Sequence, residues 1–376
     1  MYKHYNTKVS ICLINVDNTA LRKESTIMKK ALFAAAAAAA VLTCGCGAKE
    51  ISVNDMSIEE KAAQMLMVRC EPDMTEILDA GAGGIVMFAR DFEGLTKEEV
   101  QAKTAQFQEA SEIPVFIATD EEGGTVVRVS SNPYLRQEPF NSPAYYYRAG
   151  GMDNLINITA EKSQLLYELG VNMNLGPVAD VSTDPDDFIY KRSLGEDETV
   201  TAQYVAEAVK AAKRHNMASC LKHFPGYGSN TDTHTGIAVD ERPFEEFTKK
   251  DFLPFEAGIA EGAEAVLVSH NIVTCMDREL PASLSPAVHS VLRTNLQYNG
   301  LIITDDMEMQ AVQDYGDIYI KAVNAGNDMI IVSDFDAALG EIIEGVSTGQ
   351  ISEETVNTAV ERILKIKKEC GIIEAK

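Results

Sequence analysis

The chain is 376 residues long, 45% hydrophobic, with a net charge of −24. That length admits one large α/β domain or two ordinary ones. The acidity argues against nucleic acid as a partner, because a polyanion would be repelled rather than held by released counterions.

Residues 1–27 read as an upstream extension, with Met28 as the true start. Residues 28–46 read as an export signal: Lys29 and Lys30, an apolar run over 31–42, then Thr43-Cys44-Gly45-Cys46-Gly47. A short basic start, an apolar stretch of about 7–15 residues and small residues at the end describe a signal peptide rather than a spanning helix. A cysteine closing that run points to lipidation. Cys46, preceded by Gly45, is the better acceptor than Cys44, preceded by Thr43. The protein is then expected as a lipoprotein on the outer side of a bacterial membrane, an uncleaved N-terminal anchor being the alternative. Loss of residues 1–45 removes six basic and two acidic residues, taking the charge from −24 to −28. Cys70, Cys220, Cys275 and Cys370 form no CxxC or Cys/His metal pattern, so they are expected as buried free thiols, and no metal or cofactor is expected.

Residues 47–376 alternate helical and strand patterns. Ser57-Ile58-Glu59-Glu60 reads as a capping box opening a helix through Ala62, Met65 and Leu66. Apolar runs follow at 84–88, 115–118, 171–175, 218–221, 265–268, 301–303 and 329–332. Helical spacing fills 201–213 and 253–260, with Pro254 suited to a first turn. A last helix over 352–370 has one apolar stripe: Val356, Ala359, Val360, Ile363 and Leu364. Continuous apolar runs are strands buried on both faces, hence a parallel sheet under helices. Seven or eight such units in about 320 residues predict a single-domain (β/α)8 barrel with a short or irregular first strand. A doubly wound open sheet is the alternative.

The strand ends carry the chemistry. Phe88 leads to Arg90, Ala118 to Asp120, Leu221 to Lys222 and His223, Val268 to His270, and Ile303 to Asp305. Polar groups gathered at strand C-termini mark the face where barrels build active sites. After Lys222-His223-Phe224-Pro225-Gly226-Tyr227-Gly228 comes a loop with Asp232 and His234. In extended chain these two point to one side, so the carboxylate can fix the imidazole tautomer and make it a proton shuttle. Asp305 and Asp306 follow the apolar run 301–303; a carboxylate there suits attack on an anomeric carbon, and of the two Asp306 is the more natural cap of the next helix. Asp120, before Glu121-Glu122-Gly123-Gly124, and Arg128 beyond it suit the hydroxyls of a ligand that the glycines let close to the backbone.

These segments resemble the single-domain β-N-acetylglucosaminidases of glycoside hydrolase family three. The likeness spans Lys222 to Gly228, Asp232 to His234, Thr119 to Gly124, Asn174 to Asp180, Arg192 to Gly195, Pro281 to Ser285 and Thr304 to Met307. It implies Asp305 as nucleophile, His234 as general acid/base and Asp232 as its orienting partner. It also implies Asp120, Arg128, Arg192, Lys222 and His223 around the terminal sugar, and an oligosaccharide or muropeptide as substrate. A histidine in place of the second carboxylate departs from the two-carboxylate pattern of retaining glycosidases. It also permits phosphate instead of water as acceptor, so a phosphorylase is the alternative enzyme, and a non-catalytic sugar-binding lipoprotein the alternative outside enzymes. Tyr227 stands where the family usually has His, and Thr125 where many members have Arg. Both bear on aglycone preference rather than on reaction type.

Overall fold

A computed structural model describes residues 51–228 and 238–374. The export signal with Cys44 and Cys46, and the Asp232/His234 pair, lie outside the described residues. Ten strands occur among those described. They are β1 (Leu66–Arg69), β2 (Gly84–Met87), β3 (Phe116–Thr119), β4 (Met173–Asn174) and β5 (Ala218–Phe224). Then come β6 (Val239–Asp240), β7 (Ala265–Val268), β8 (Ile272–Val273), β9 (Leu301–Thr304) and β10 (Ile330–Val332). Eight form one sheet in the order β10-β1-β2-β3-β4-β5-β7-β9, with every pairing parallel. A parallel bridge between Ile303 and Met329 brings the two edges together, and the Asp328 and Met329 N–H groups both donate to Ile302 O, at 2.8 and 3.1 Å. The sheet is therefore a nearly closed (β/α)8-type barrel, as the alternation of apolar runs and helices predicts.

The strand patterns explain the closure. Residues of β2, β3, β5, β7, β9 and β10 are buried throughout, which requires cover on both faces. The cover comes from helices such as Glu198–Arg214 and Phe252–Ala260, whose Val205, Ala208, Val209 and Phe255 pack with Leu221, Phe224 and Val266. The last helix, Glu353–Glu369, buries the whole stripe read from the sequence and is capped by Ser352.

Three expectations need correction. The first strand is regular and four residues long; β4 is the short one. Its path is interrupted by Gly176-Pro177, where proline has no N–H to give a ladder, and pairing resumes at the bridge from Val178 to Lys222. The first helix is Ile58–Gln64, so Met65 and Leu66 leave it. Leu66 opens β1 because Gly83 N–H caps the departing turn at Ala63 O and Leu66 O, both 3.0 Å away. Of the four thiols, Cys70 and Cys220 are buried, but Cys370 is half-buried at a helix end and Cys275 is exposed in the turn after β8.

Around Pro254 the helical path starts earlier than expected. A turn at Phe244–Glu246 leads through a π-helical turn, Phe247–Asp251, to the regular helix Phe252–Ala260, so Pro254 lies within a continuing helical path rather than at its start. Strands β6 and β8 form a separate two-stranded parallel ladder. No helix among the described residues is long and apolar enough to cross a membrane.

Candidate active site

Several strand C-termini deliver polar side chains to the same end of the barrel. Strand β5 delivers Lys222, whose Nζ lies 2.5 Å from Asp120 Oδ1 and 2.7 Å from Glu122 Oε1. Asp120 and Glu122 follow β3, so two strand ends meet in one ion cluster. Arg192 closes it with a two-pronged contact to Glu122: Nε to Oε2 at 2.9 Å and Nη2 to Oε1 at 2.7 Å. Burial alone would raise the Glu122 carboxyl, but Lys222 and Arg192 hold it well below the usual range. The Lys222 ammonium is held charged by Asp120 and Glu122 against a burial that would discharge it.

His223 is fixed from two sides. Its Nδ1 and backbone N–H face Asp180 Oδ2 at 2.8 and 3.0 Å, and its Nε2 lies 3.0 Å from Arg192 Nη2. An arginine nitrogen is always a donor, so Nε2 is the acceptor and the proton sits on Nδ1, toward the carboxylate. Asp180 uses its other oxygen to accept the Tyr227 N–H at 2.8 Å, and the Tyr227 ring packs edge-on against the imidazole with centroids 5.0 Å apart.

Asp305 follows β9. Burial would raise its carboxyl, but the His270 and His223 rings, the Asp306 N–H at 2.8 Å and Lys222 together lower it, so it stays ionised. His270, fully buried after β7, is held by Ser283 Oγ at 2.7 Å and by the Asp306 carbonyl at 3.0 Å. The two adjacent carboxylates thus divide. Asp306 pairs with Arg69 Nε at 2.6 Å and accepts the Glu308 N–H at 3.0 Å, which makes it a turn and ion-pair residue. Asp305 instead accepts the Asp306 N–H, with the charges of His270, His223 and Lys222 near enough to lower its carboxyl.

Arg128 follows the Asp120 loop, its guanidinium 5.8 Å from the centre of the Phe88 ring. Glu121 shapes that loop by accepting the Arg128 and Val129 N–H groups, both at 2.7 Å, and the Ser130 hydroxyl. The structure therefore brings Asp120, Lys222, His223, Arg192 and Asp305 into one site, with Arg128 at the end of the loop that Asp120 begins. Glu122, Asp180 and His270 join them; all three stand in or beside the motifs of the sequence, where nothing gives them roles. Among the described residues no group of three or more His, Cys, Asp or Glu side chains is placed to hold a metal ion. Chemically, the arrangement offers an ionised carboxylate beside a wall of matched charges that can hydrogen-bond several hydroxyls at once.

Residues 57–366 match the profile of the glycosyl hydrolase family 3 N terminal domain. A beta-hexosaminidase of Hydrogenovibrio crunogenus is 30% identical over 286 residues, which is 73% of this chain and 79% of that protein. A beta-hexosaminidase of Stenotrophomonas maltophilia is 31% identical over 257 residues, 66% of this chain and 75% of that protein. Among solved structures, a family 3 beta-N-acetylglucosaminidase of a Paenibacillus species superposes with a TM-score of 0.79 at 28% identity. That match covers 85% of this chain and 64% of the Paenibacillus chain, slightly less than two thirds of its length. On this profile, these relatives and this barrel, the chain belongs to glycosyl hydrolase family 3 and is a glycosidase.

Proposed function

We propose that the protein is a retaining β-N-acetylhexosaminidase that releases terminal β-linked N-acetylglucosamine from cell-wall fragments or chitin-type oligosaccharides. What supports this reading is the place of Asp305 at the end of β9, where nearby His270, His223 and Lys222 lower its carboxyl and where the Lys222–Asp120 and Arg192–Glu122 pairs are gathered. Asp120, Arg128, Arg192, Lys222 and His223 hold the sugar. An Asp305 oxygen bonds to the anomeric carbon while the glycosidic C–O bond breaks. The bonding pair leaves with the aglycone oxygen, which takes the proton of His234. Neutral His234, steered by Asp232, then takes a proton from water as water attacks the same carbon, and the ester bond to Asp305 breaks.

The Asp305→Ala variant should lose at least about a thousandfold in turnover of an aryl β-N-acetylglucosaminide while its melting curve stays near wild type. Near-normal turnover removes Asp305 as nucleophile. Faster cleavage of the aryl β-glucoside than of the N-acetyl compound removes the substrate class. A sugar 1-phosphate as main product in phosphate buffer replaces hydrolysis by phosphorolysis.

Export and lipidation are part of the same proposal, supported by the basic-apolar-small pattern of residues 28–46 and Cys46. Radiolabelled palmitate supplied to bacteria expressing the full chain should enter the wild type and not Cys46→Ser. Equal labelling moves the anchor to Cys44, and no labelling of either withdraws it.

A further inference from the structure

The helix Pro143–Glu168 buries Leu155, Leu165 and Leu166, and Lys162 stands on the same face, two turns after Leu155 and one turn before Leu166. An apolar side chain is the ordinary occupant of such a position, yet this lysine is only 9% exposed. Burying an ammonium costs stability unless partners meet it. Its partners belong to the carboxylate loop of the site. Nζ donates to the Glu122 carbonyl at 2.6 Å and lies 5.5 Å from the centre of the Phe140 ring. The charges of Glu121 and Glu122 favour its ammonium, while Lys222 and Arg136 oppose it. Lys162, Glu121, Glu122, Asn174, Tyr204 and Ser219 line a cavity, so the lysine shares its space with the loop that carries two of the site's carboxylates.

The Glu122 residue is thereby held on both sides. Its N–H donates to the Val126 carbonyl at 3.1 Å, and its carbonyl accepts from Lys162. The next residue leaves little slack: Gly123 has φ 101°, and a Cβ there would strike the Asn141 carbonyl oxygen. The charges match as well. Asp120, Glu121 and Glu122 are three acids in succession, and Lys222, Arg192 and Lys162 are the three cations gathered about them.

We infer that Lys162 is a positioning residue for the sugar: it fixes the Glu122 peptide, and with it the carboxylate that orients Lys222 and Arg192. This rests on the sugar-holding roles proposed above for those two cations. The arrangement also responds to pH. Burial pushes the Lys162 ammonium down to about 8 from an ordinary 10.5, with Glu121 and Glu122 acting against that fall. It is charged at pH 7 and discharged at pH 9.5. Against burial, Lys222 is held charged by Asp120 and Glu122, and Glu122 is held ionised by Lys222 and Arg192. Burial and Glu122 keep Tyr204 neutral. Over that window the group that changes charge beneath Glu122 is therefore Lys162.

The full chain is assayed from pH 7 to pH 9.5 on whichever of an aryl β-N-acetylglucosaminide and an aryl β-glucoside the wild type cleaves faster. Wild-type KM should rise about tenfold across that range as the ammonium is lost. Lys162→Met should begin about tenfold high at pH 7 and show no further rise, with kcat within about threefold of wild type. Lys162→Arg, whose charge persists, should keep a low KM at pH 9.5. A lysine that merely supports the fold would lower kcat through a smaller folded fraction and leave KM alone, and that result overturns the inference. So does a wild-type KM that stays flat in alkali, or an alkaline rise that either variant shares. Should Lys162→Met fail to melt cooperatively, Lys162→Gln carries the test, with the same raised and flattened profile expected and a wild-type profile overturning it. If Lys222→Ala leaves KM unchanged, the sugar-holding assignment and this inference both fall. If Lys222→Ala raises KM and Lys162→Met matches wild type, only the role of Lys162 falls.

Discussion

Lys222 and Arg192 are two cations sharing one small pocket, and Glu122 is what lets them do so. With Nζ at 2.7 Å and a two-pronged guanidinium contact, its carboxylate bridges both, and Asp120 supplies the second negative charge, while their remaining N–H groups are left for a ligand. Replacing Glu122 by Gln keeps the shape and removes the charge, leaving buried cations under-compensated. The expected cost is about 3–5 kcal/mol of stability, read from urea unfolding, with a raised KM. The pH dependence has a fixed sign. The Glu122 carboxyl lies below its ordinary 4.5 in the folded protein, so its contribution is complete above about pH 4.5 and is lost as pH falls below that. The Gln variant should therefore show a flatter loss of stability in acid, and an unchanged acid limb would contradict the assignment.

Asp120 was legible because it is the first ionisable group past an apolar run. Glu122 was not. Two residues into a glycine loop no periodicity operates, so Glu121 and Glu122 look equivalent in sequence. In space one bonds loop N–H groups and the other faces Lys222. Asp305 and Asp306 pose the same ambiguity in sequence; in space Asp306 pairs with Arg69, a contact that the sequence does not announce.

At the scale of elements, the helix Glu353–Glu369 carries a feature that its apolar stripe does not announce. Lys367 is fully buried, its Nζ 2.8 Å from Gln64 Oε1 and 5.6 Å from the centre of the Phe116 ring. Burial pushes its ammonium down to about 7 from an ordinary 10.5. Between those values the unfolded chain binds a proton that the folded chain refuses, so stability rises with pH across that window. Lys367→Met should remove that slope, up to about 1.4 kcal/mol per pH unit, and stabilise the protein near neutrality. Thermal melts at pH 7 and pH 9.5 check it; parallel shifts in the two proteins would show that Lys367 is not the group concerned. Strands β1 and β4 were the elements misjudged. Four-residue β1 comes after its helix with only Met65 between, so its apolar residues extend the helical pattern of Ala62. In β4 the run 171–175 looked whole because apolarity does not report where Pro177 breaks a ladder.

For the molecule as a whole, the barrel was readable because its strands are buried on both sides and most end in a polar group. The contacts of Arg242 with Gly226, Asp240 and Asp251 were not readable, since these residues come together only through folding. One further consequence concerns Cys275, the one exposed thiol among the described residues. It stands two residues beyond β8, the strand that pairs with β6. Partial burial and Asp240 raise its thiol, so alkylation will be slow at neutral pH and quicken in mild alkali. A maleimide fluorophore attached there would report on the β6–β8 ladder, its signal following any rearrangement of that ladder when substrate binds.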